Sequence, residues 1–456
     1  MMRRSPFPLL SGLILTGCAT GAVEVSEAGI DAPLQYAAQL PPAGVDEVWW
    51  TAFSDPVLDA LIRQGLEANL DIAAARERVR AAEALLRAER ADRLPGVDGA
   101  ADAGVAIDDD GASLTAGAGL VGLFDPDFSG RLAAEIRAAA ADYAEADYLR
   151  ADQQRVIAAA ISSQYIEYRR TGAQLELLEE STELQQQTLR IVTLRFEAGL
   201  AANLDVRRAA ADLAQTRARL GLIEIARAEA EHALAVLLGE APGTLAIASP
   251  PGEATIPDYG LGPPIGTPAN LLRRRGDILA AEARLMRAAA QVGIEQADLR
   301  PSLVVPSSIL LGDGTIDGLF SSFLATVGAA LDLPLFDGGR RRAEITAARA
   351  ELDASFAEYL QTFLLALGGV ENAMVAIQAY QERGKSLGEA IEQSETALGQ
   401  SNALYREGLT SLFDVLDAQR QLIASRQSLI DNHADLARAF IALHAASASE
   451  NGSTQE

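Results

Sequence analysis

The residues best suited to electrostatic chemistry lie just after a glycine near the C-terminus. Phe413, Asp417 and Arg420 follow Gly408, and their spacings of four and three residues would place all three on one face of an α-helix. An acid and a base at this spacing can form an ion pair across one helical turn. Such exposed pairs contribute only ~0–1 kcal/mol, so the spacing alone favours an ordinary surface pair.

Patterns that would indicate catalysis or metal binding do not occur in the sequence. No segment resembles a phosphate-binding loop, a nucleophile elbow or a metal-binding cluster. The three histidines, His232, His433 and His444, lie far apart and are better explained as packing or surface residues. The single cysteine, Cys18, excludes an internal disulfide and a site with several cysteine ligands. We therefore expect a protein that is not an enzyme and that binds no metal and no cofactor.

Cys18 ends a segment that is typical of a secreted lipoprotein. Arg3 and Arg4 precede an apolar run from Phe7 to Thr16, and roughly ten apolar residues are too few to span a bilayer. A secretory signal at 1–17 fits better. Leu-Thr-Gly-Cys at its end resembles the lipobox of bacterial lipoproteins, which implies a covalent lipid on Cys18. In lipoproteins the absence of an aspartate after the cysteine implies an anchor in the outer membrane.

The composition excludes one class of partner. The net charge of −25 repels nucleic acid, so DNA and RNA are not expected partners. Aromatic residues make up 5% of the chain, and Ala, Leu, Arg, Glu and Gln dominate its long middle segments. This composition is typical of extended helical assemblies.

Very long helices must position the residues near Gly408. No proline occurs between Pro126 and Pro242, or between Pro334 and the C-terminus, and proline-free runs of this length protect helices. The stretch from Arg131 to Phe196 alone would extend ~100 Å at 1.5 Å per residue. In the second run, apolar residues recur at steps of four and three, as in a coiled-coil seam, at Phe363, Leu367, Val370, Met374 and Ile377.

The turn at Gly408 occurs twice in the chain. Gly199, Leu200, Asp205 and Val206 recur as Gly408, Leu409, Asp414 and Val415 at a constant offset of 209 residues. Two helical hairpins of one design indicate an internal duplication. Glycine permits a left-handed turn, and the leucine after it offers an exposed apolar side chain. The pairs Gly199-Leu200 and Gly408-Leu409 are therefore candidate contacts for a partner protein.

Each copy also contains a segment with the period of two that is typical of β-strands. In the second copy, one face of the last strand is wholly apolar and the other carries Thr326, Gly328 and Asp332, as in a membrane barrel. Pro306 suits only an edge strand or a bulge. Four strands cannot close a barrel, and open edges are not tolerated in lipid, so several chains must share it. Twelve strands would need three chains and eight would need two, and the pattern does not choose.

These signals divide the chain into two repeats with flanking segments. The predicted ranges are a signal peptide at 1–17, an arm at 18–48, a first repeat at 49–238 (hairpin 97–123, long helices 131–238), a proline-rich linker at 239–268, a second repeat at 269–445 (hairpin 302–333, long helices 339–445) and a polar tail at 446–456.

Five motifs, in order along the chain, resemble the outer-membrane factors of tripartite efflux pumps. They are Cys18, Trp49-Trp50 with Phe53-Ser-Asp-Pro56, Arg273-Arg-Arg-Gly-Asp-Ile278, Leu335-Phe-Asp-Gly-Gly339 and Tyr405 to Arg420. The resemblance, to TolC/OprM-type channels of the NodT-like lipoprotein branch, covers essentially the whole chain. One departure is Gly276, where the family usually has proline, and we expect a looser helix start there.

The resemblance implies a mainly α fold that contributes to a membrane β-barrel. The expected assembly is a homotrimer with a 12-stranded barrel in the outer membrane and an α-helical barrel in the periplasm, anchored by lipid. The expected partners are outer-membrane lipid, a periplasmic adaptor and an inner-membrane pump of the resistance-nodulation-division class.

The resemblance also gives roles to single residues. The family closes its channel with an apolar residue and an Asp–Arg pair just after the second turn, which match Phe413, Asp417 and Arg420. Three copies of Phe413 would make a dry constriction and three of Asp417 a carboxylate ring. The turns Gly199-Leu200 and Gly408-Leu409 would contact the adaptor.

Three functions are consistent with the sequence. The first is a gated exit duct of a tripartite efflux system that exports drugs or other small toxic compounds. The second is a TolC-like duct of the same architecture for type I polypeptide secretion. The third is a lipid-anchored coiled-coil scaffold without a pore, although a scaffold has no use for two hairpins at equivalent places of a duplication.

Overall fold

The computed structural model describes residues 33, 35–37, 48–108, 111–247, 255–259, 274–312 and 320–447. Cys18, the signal peptide, Arg273 and most of the arm, linker and tail lie outside the described residues. After a 3-10 turn at Trp49–Phe53, the elements in chain order are α1 (Pro56–Ala68), α2 (Leu70–Ala91), β1 (Gly96–Asp108), β2 (Gly111–Phe124), α3 (Arg131–Glu197), α4 (Asn203–Leu237), α5 (Gly276–Ala297), β3 (Ser302–Leu311), β4 (Phe323–Val327), β5 (Ala330–Asp332), α6 (Arg340–Arg406) and α7 (Leu412–Ser447).

The element order repeats, as the duplicated pattern predicts. Each copy has a helix, then two antiparallel strands, the second of which is interrupted in the second copy. A helix of 67 residues, a glycine turn and a helix of 35 or 36 residues follow. A carboxylate caps each of the two longest helices. Asp127 accepts from the backbone N–H of Leu132 at 2.9 Å, and Asp337 accepts from that of Arg341 at 3.1 Å. The mainly α fold with a small β contribution is therefore confirmed.

The first compact unit contains the strands, in residues 86–140 and 286–353. Its antiparallel sheet has the order β1-β2-β3-β4, with β5 also paired to β3. Residues directly opposite each other share a face of the sheet. The register therefore places Val97, Ile107, Phe323 and Val327 on one face, with glycine, alanine, other apolar residues and one serine, Ser307. The side chains of these four are all more than 60% exposed.

The charged residues of the sheet lie on its other face. Asp98 and Asp102 alternate with the apolar residues of β1, and Asp332 lies opposite Ser302. Ser308 and Thr326 share this face and form a hydrogen bond of 2.7 Å between their hydroxyl groups. The division predicted for the last strand is thus present in the sheet as a division of charge, since the carboxylates share one face, which also carries apolar residues such as Leu123 and Leu324.

The expectation for Pro306 is wrong. Pro306 lies in β3, an inner strand paired with β2 on one side and with β4 and β5 on the other. The pairs Ser307–Val327 and Val304–Ala330 have the same register, so no bulge forms. The carbonyl of Pro306 accepts a hydrogen bond from Gly328 at 2.9 Å, but proline has no N–H to return it. The missing bond interrupts the ladder, which separates β4 from β5.

The second compact unit contains the hairpin tips and the main core, in residues 29–85, 141–285 and 354–456. The predicted seam of α6 is buried here at Phe363, Val370, Met374 and Ile377. By length and composition α6 is also apolar enough to cross a membrane. The buried seam packs in the main core, whereas Leu364, Leu365 and Val375 of the same stretch are exposed.

The expectation of a loose helix start at Gly276 is also wrong. A Cβ atom at this position would lie 2.6 Å from the carbonyl oxygen of Tyr148 and 2.9 Å from Cβ of Asp152. Neither proline nor alanine would fit without a shift of α3. Glycine therefore allows α5 to begin in close contact with α3.

Candidate functional site

Both predicted turns end a long helix in the same way. Gly199 has a φ of 76° and Gly408 a φ of 73°, which favour glycine. Leu200 donates its backbone N–H to the carbonyl of Arg195 at 2.7 Å, and Leu409 donates to Leu404 at 2.8 Å. These bonds across five residues, with those from the two glycines, define Schellman motifs.

The leucine that follows each glycine is exposed. Leu200 is 70% and Leu409 is 73% exposed, so each turn presents an apolar side chain at its end. Exposed apolar residues at the end of a rigid element are a common feature of protein contacts. Contact with an adaptor at Gly199-Leu200 and Gly408-Leu409 stays a prediction.

The two turns differ in how the next helix begins. At the second turn the Asp414 carboxylate accepts from the backbone N–H of Ser411 at 3.1 Å and from the hydroxyls of Thr410 and Ser411 at 2.5 and 2.7 Å. These hydrogen bonds lower the pKa of Asp414, and the one from Thr410 has the largest effect. At the first turn Ala202 is the N-cap, and no side chain caps α4. The second turn is therefore held by polar contacts that the first lacks.

The predicted gate residues lie together in the first three turns of α7. Nη2 of Arg420 lies 3.8 Å from Oδ1 of Asp417, and Cζ of Arg420 lies 6.0 Å from the centre of the Phe413 ring. Phe413 is 50% exposed. The side chain of Asp417 is 67% exposed. The three residues share one face, as their spacing predicts, and their role as a gate stays a prediction.

Helix α4 adds two residues that sequence reasoning missed. Cζ of Arg208 lies 5.9 Å from the Phe413 ring, so the ring has a guanidinium group from each helix near it. Oδ2 of Asp212 lies 3.7 Å from Nε of Arg420. Arg208 lies 209 residues before the predicted gate residue Asp417 and is therefore its counterpart in the first copy. A comparison of the two copies would have identified Arg208 for this reason. Asp212 matches the uncharged Gln421, so the same comparison would not have found it.

The packing beneath these residues is apolar. Val192, Ala209, Leu398, Leu412, Val415, Leu416 and Leu422 form one buried cluster close to the tips. Next to the two turns, Nη1 of Arg195 donates to the backbone carbonyl of Tyr405 at 3.3 Å, and Cζ of Arg195 lies 4.8 Å from the Tyr405 ring. Burial raises the pKa of Tyr405. The two hairpins of one chain are thus joined next to both turns.

A groove lies beside the predicted gate. It has a volume of about 290 Å³, and Asp212, Asp417 and Arg420 line it with Gln185 and Thr216. Among the described residues, no group of three or more His, Cys, Asp and Glu side chains could hold a metal ion. The chemistry of this site therefore rests on its charges and on one aromatic ring.

Comparisons with known proteins agree on one family. The description of that family is outer membrane efflux protein, and its sequence profile matches the chain twice, at 61–240 and at 267–449. Nodulation protein T of Rhizobium leguminosarum bv. trifolii is 29% identical over 95% of both chains. Outer membrane protein OprJ of Pseudomonas aeruginosa is 30% identical, over 87% of this chain and 85% of its own.

Solved structures have the same fold. The outer-membrane channel OprN superposes with a TM-score of 0.83 at 31% sequence identity, over 92% of this chain and 97% of the channel. A structure of CusC superposes with a TM-score of 0.81 at 26% identity, over 91% of this chain and 98% of that one.

Proposed function

The chain belongs to the outer membrane efflux protein family, and on that premise we propose that it is the gated exit duct of a tripartite efflux system. It resides in the outer membrane, as its family does, and exports drugs or other small toxic compounds. The names of its relatives support small molecules of several kinds, since they include a solvent efflux pump outer membrane protein, a toluene efflux pump outer membrane protein and a cation efflux system protein.

The observation that carries this proposal is the sheet with one exposed apolar face. Three of its carboxylates, Asp98, Asp102 and Asp332, lie on the opposite face. Within the described sheet β1 is the outermost strand on one side and β4 with β5 on the other, and open edges are not tolerated in lipid. Twelve strands from three chains would close this sheet, with its apolar face toward lipid and its carboxylates toward the lumen. The long helices would continue the duct as a helical barrel in the periplasm.

The partners follow from this architecture. A duct without an energy source needs a pump in the inner membrane, here of the resistance-nodulation-division class, and an adaptor between the two. Leu200 and Leu409 are the adaptor contacts in this proposal, since both are exposed at the turns. The members of this family are efflux channel proteins, and we propose that this chain, too, performs no catalysis and uses no cofactor.

The lipid anchor is a separate part of the proposal. The lipobox-like segment supports a covalent lipid on Cys18 and signal cleavage just before it. Labelling of cells with a palmitate analogue should mark the wild-type chain and should not mark Cys18→Ser. A labelled Cys18→Ser chain would contradict the anchor without affecting the proposed duct, because the argument for the duct rests on the sheet and not on the lipid.

Single-channel recording in a planar bilayer tests the duct. The purified wild-type assembly should show a small conductance that rises at least tenfold in Asp417→Ala/Arg420→Ala, because the charged pair is lost at the constriction. A large conductance that the mutations leave unchanged would keep the duct and move the gate elsewhere. The absence of conductance from a folded, lipidated assembly in both forms would contradict the duct and favour a scaffold. Export of a co-expressed polypeptide substrate, rather than of small molecules, would favour the secretion alternative.

A further inference from the structure

Arg420 has two carboxylate neighbours, and one of them lies on another helix. Its Nε lies 3.7 Å from Oδ2 of Asp212 on α4, and its Nη2 lies 3.8 Å from Oδ1 of Asp417 on its own helix α7. Both distances exceed the ~2.7–3.2 Å of a hydrogen bond that joins N–H to oxygen. The guanidinium group therefore lies between two carboxylates and is bonded closely to neither.

The two carboxylates differ in their contact with water. The side chain of Asp212 is 16% exposed, whereas that of Asp417 is 67% exposed. Water and salt screen a charge pair less where it is buried. At nearly equal distances, the attraction of Arg420 to Asp212 is therefore stronger than its attraction to Asp417.

The surroundings of Arg420 leave room for movement. The groove of about 290 Å³ reaches Asp212, Arg420 and Asp417. The described contacts of the guanidinium group are a hydrogen bond from Nε to the Leu416 carbonyl at 3.3 Å, the two carboxylates and the face of Phe413. None of these contacts encloses the group. Rotation about the side-chain bonds can bring it onto either carboxylate.

We propose that Asp212 is a positioning residue of the gate, which holds Arg420 against α4 within one protomer. In the closed state Asp212 ties α7, which carries Phe413 and Asp417, to the first hairpin. Opening of the channel then requires Arg420 to leave Asp212. This inference rests on the proposed function, because it gives Asp212 a role through the predicted gate.

Conductance of purified assemblies in planar bilayers tests this role. Asp212→Asn removes the charge with little change of shape, and the mean conductance should rise about fivefold or more. Asp212→Glu keeps the charge, and its conductance should stay within about twofold of the wild type. Glu224→Gln, which removes one carboxylate from an exposed position of α4, is the matched control and should match the wild type.

A double-mutant cycle tests whether Asp212 acts through Arg420. Arg420→Gln should raise the conductance, and Asp212→Asn should add little to it in that background, because the partner is already gone. If Asp212→Asn raised the conductance in the Arg420→Gln background by as much as it does in the wild type, the proposal would be overturned. The thermal unfolding of each assembly controls for general loss of structure.

The outcomes separate this inference from the proposed function. If Asp417→Ala/Arg420→Ala opens the pore while Asp212→Asn leaves it closed, the duct and its gate stand and the role of Asp212 is wrong. An equal increase in Asp212→Glu and Asp212→Asn would also contradict it, because a charge-based tether must respond to charge. If the wild type and every variant fail to conduct, the proposed duct itself is wrong.

Discussion

Arg195, which precedes the first turn, contacts Tyr405, which precedes the second. Nη1 of Arg195 donates to the carbonyl of Tyr405 at 3.3 Å, and its Cζ lies 4.8 Å from the ring. The hydrogen bond satisfies a carbonyl in the last turn of α6, where a cation is also favourable to the helix dipole. One side chain thus joins the ends of α3 and α6 in the same protomer.

Loss of Arg195 should loosen both tips. Arg195→Gln removes a cation–π contact and a charge-assisted hydrogen bond, together about 1–1.5 kcal/mol, or about tenfold in local opening. The local opening of the two tips is measured by hydrogen exchange of peptides that span 195–203 and 403–411. Tyr405→Phe is the matched control. The Tyr405 hydroxyl has no hydrogen-bond partner among the described residues, so this change should leave the exchange unaltered. Equal effects of the two variants would contradict the contact.

Asp414 should hold the second turn in a pH-dependent way. Its hydrogen bonds from Thr410 and Ser411 lower its pKa below 3.8. A lowered pKa in the folded state means that the stabilisation is present above the unfolded value and is lost as the pH falls through the folded value. Asp414→Asn should therefore speed hydrogen exchange at 409–415 at neutral pH, and the difference from the wild type should shrink below pH 3.8.

Asp205 provides the control for this prediction. It occupies the same position after the first turn, where Ala202 supplies no side-chain cap. Asp205→Asn should change exchange at the first turn less than Asp414→Asn changes it at the second. A difference between Asp414→Asn and the wild type that persists unchanged in acid would contradict the proposed capping.

The sequence predicts the elements of this protein better than the contacts between them. The stretches without proline predict two regions of long helices, and the glycine turns divide each region into two helices, because proline and glycine are the strongest local constraints on a helix. The repeated Gly-Leu pairs predict both turns, since only glycine adopts their backbone angles without strain. These properties depend on neighbours along the chain, and the sequence contains them directly.

The contacts that sequence reasoning missed depend on how two hairpins pack. Asp212 approaches Arg420 from another helix, and its counterpart in the second copy is the uncharged Gln421. Arg195 and Tyr405 correspond to Leu404 and Phe196 across the repeat, so neither pairing is repeated. The packing at Gly276 escapes the sequence for a similar reason, because the backbone of α3 that requires glycine there is distant along the chain.

Pro306 should limit the stability of the β-sheet. Its carbonyl accepts from Gly328 at 2.9 Å, but it has no N–H to donate to the carbonyl of Gly328. Pro306→Val should restore this bond, join β4 to β5, and add about 0.5–1.5 kcal/mol per chain. The thermal unfolding temperature of the protein in detergent should therefore rise. Pro301→Val, just before β3, is the control, and a similar rise in both variants would contradict the role of the interrupted ladder.

His444 should make the folded chain less stable in mild acid. Its ring stacks on Trp49 with centres 5.2 Å apart, and its Nε2 shares a hydrogen bond with the hydroxyl of Tyr259. Burial lowers the pKa of His444 from 6.5 to about 3. The unfolded chain therefore takes up a proton below pH 6.5 that the folded chain does not, and stability falls as the pH decreases from 6.5 toward about 3.

The interval from pH 7.5 to pH 5 isolates this effect, because most carboxylates stay ionised there. The wild type should lose about 2 kcal/mol over that interval, measured by denaturant unfolding. His444→Phe keeps an aromatic ring against Trp49 and should lose much less over the same interval. His433→Phe changes an exposed histidine and should follow the wild type. A pH dependence that persists in His444→Phe would mean that another group takes up the proton, because the phenylalanine ring cannot titrate.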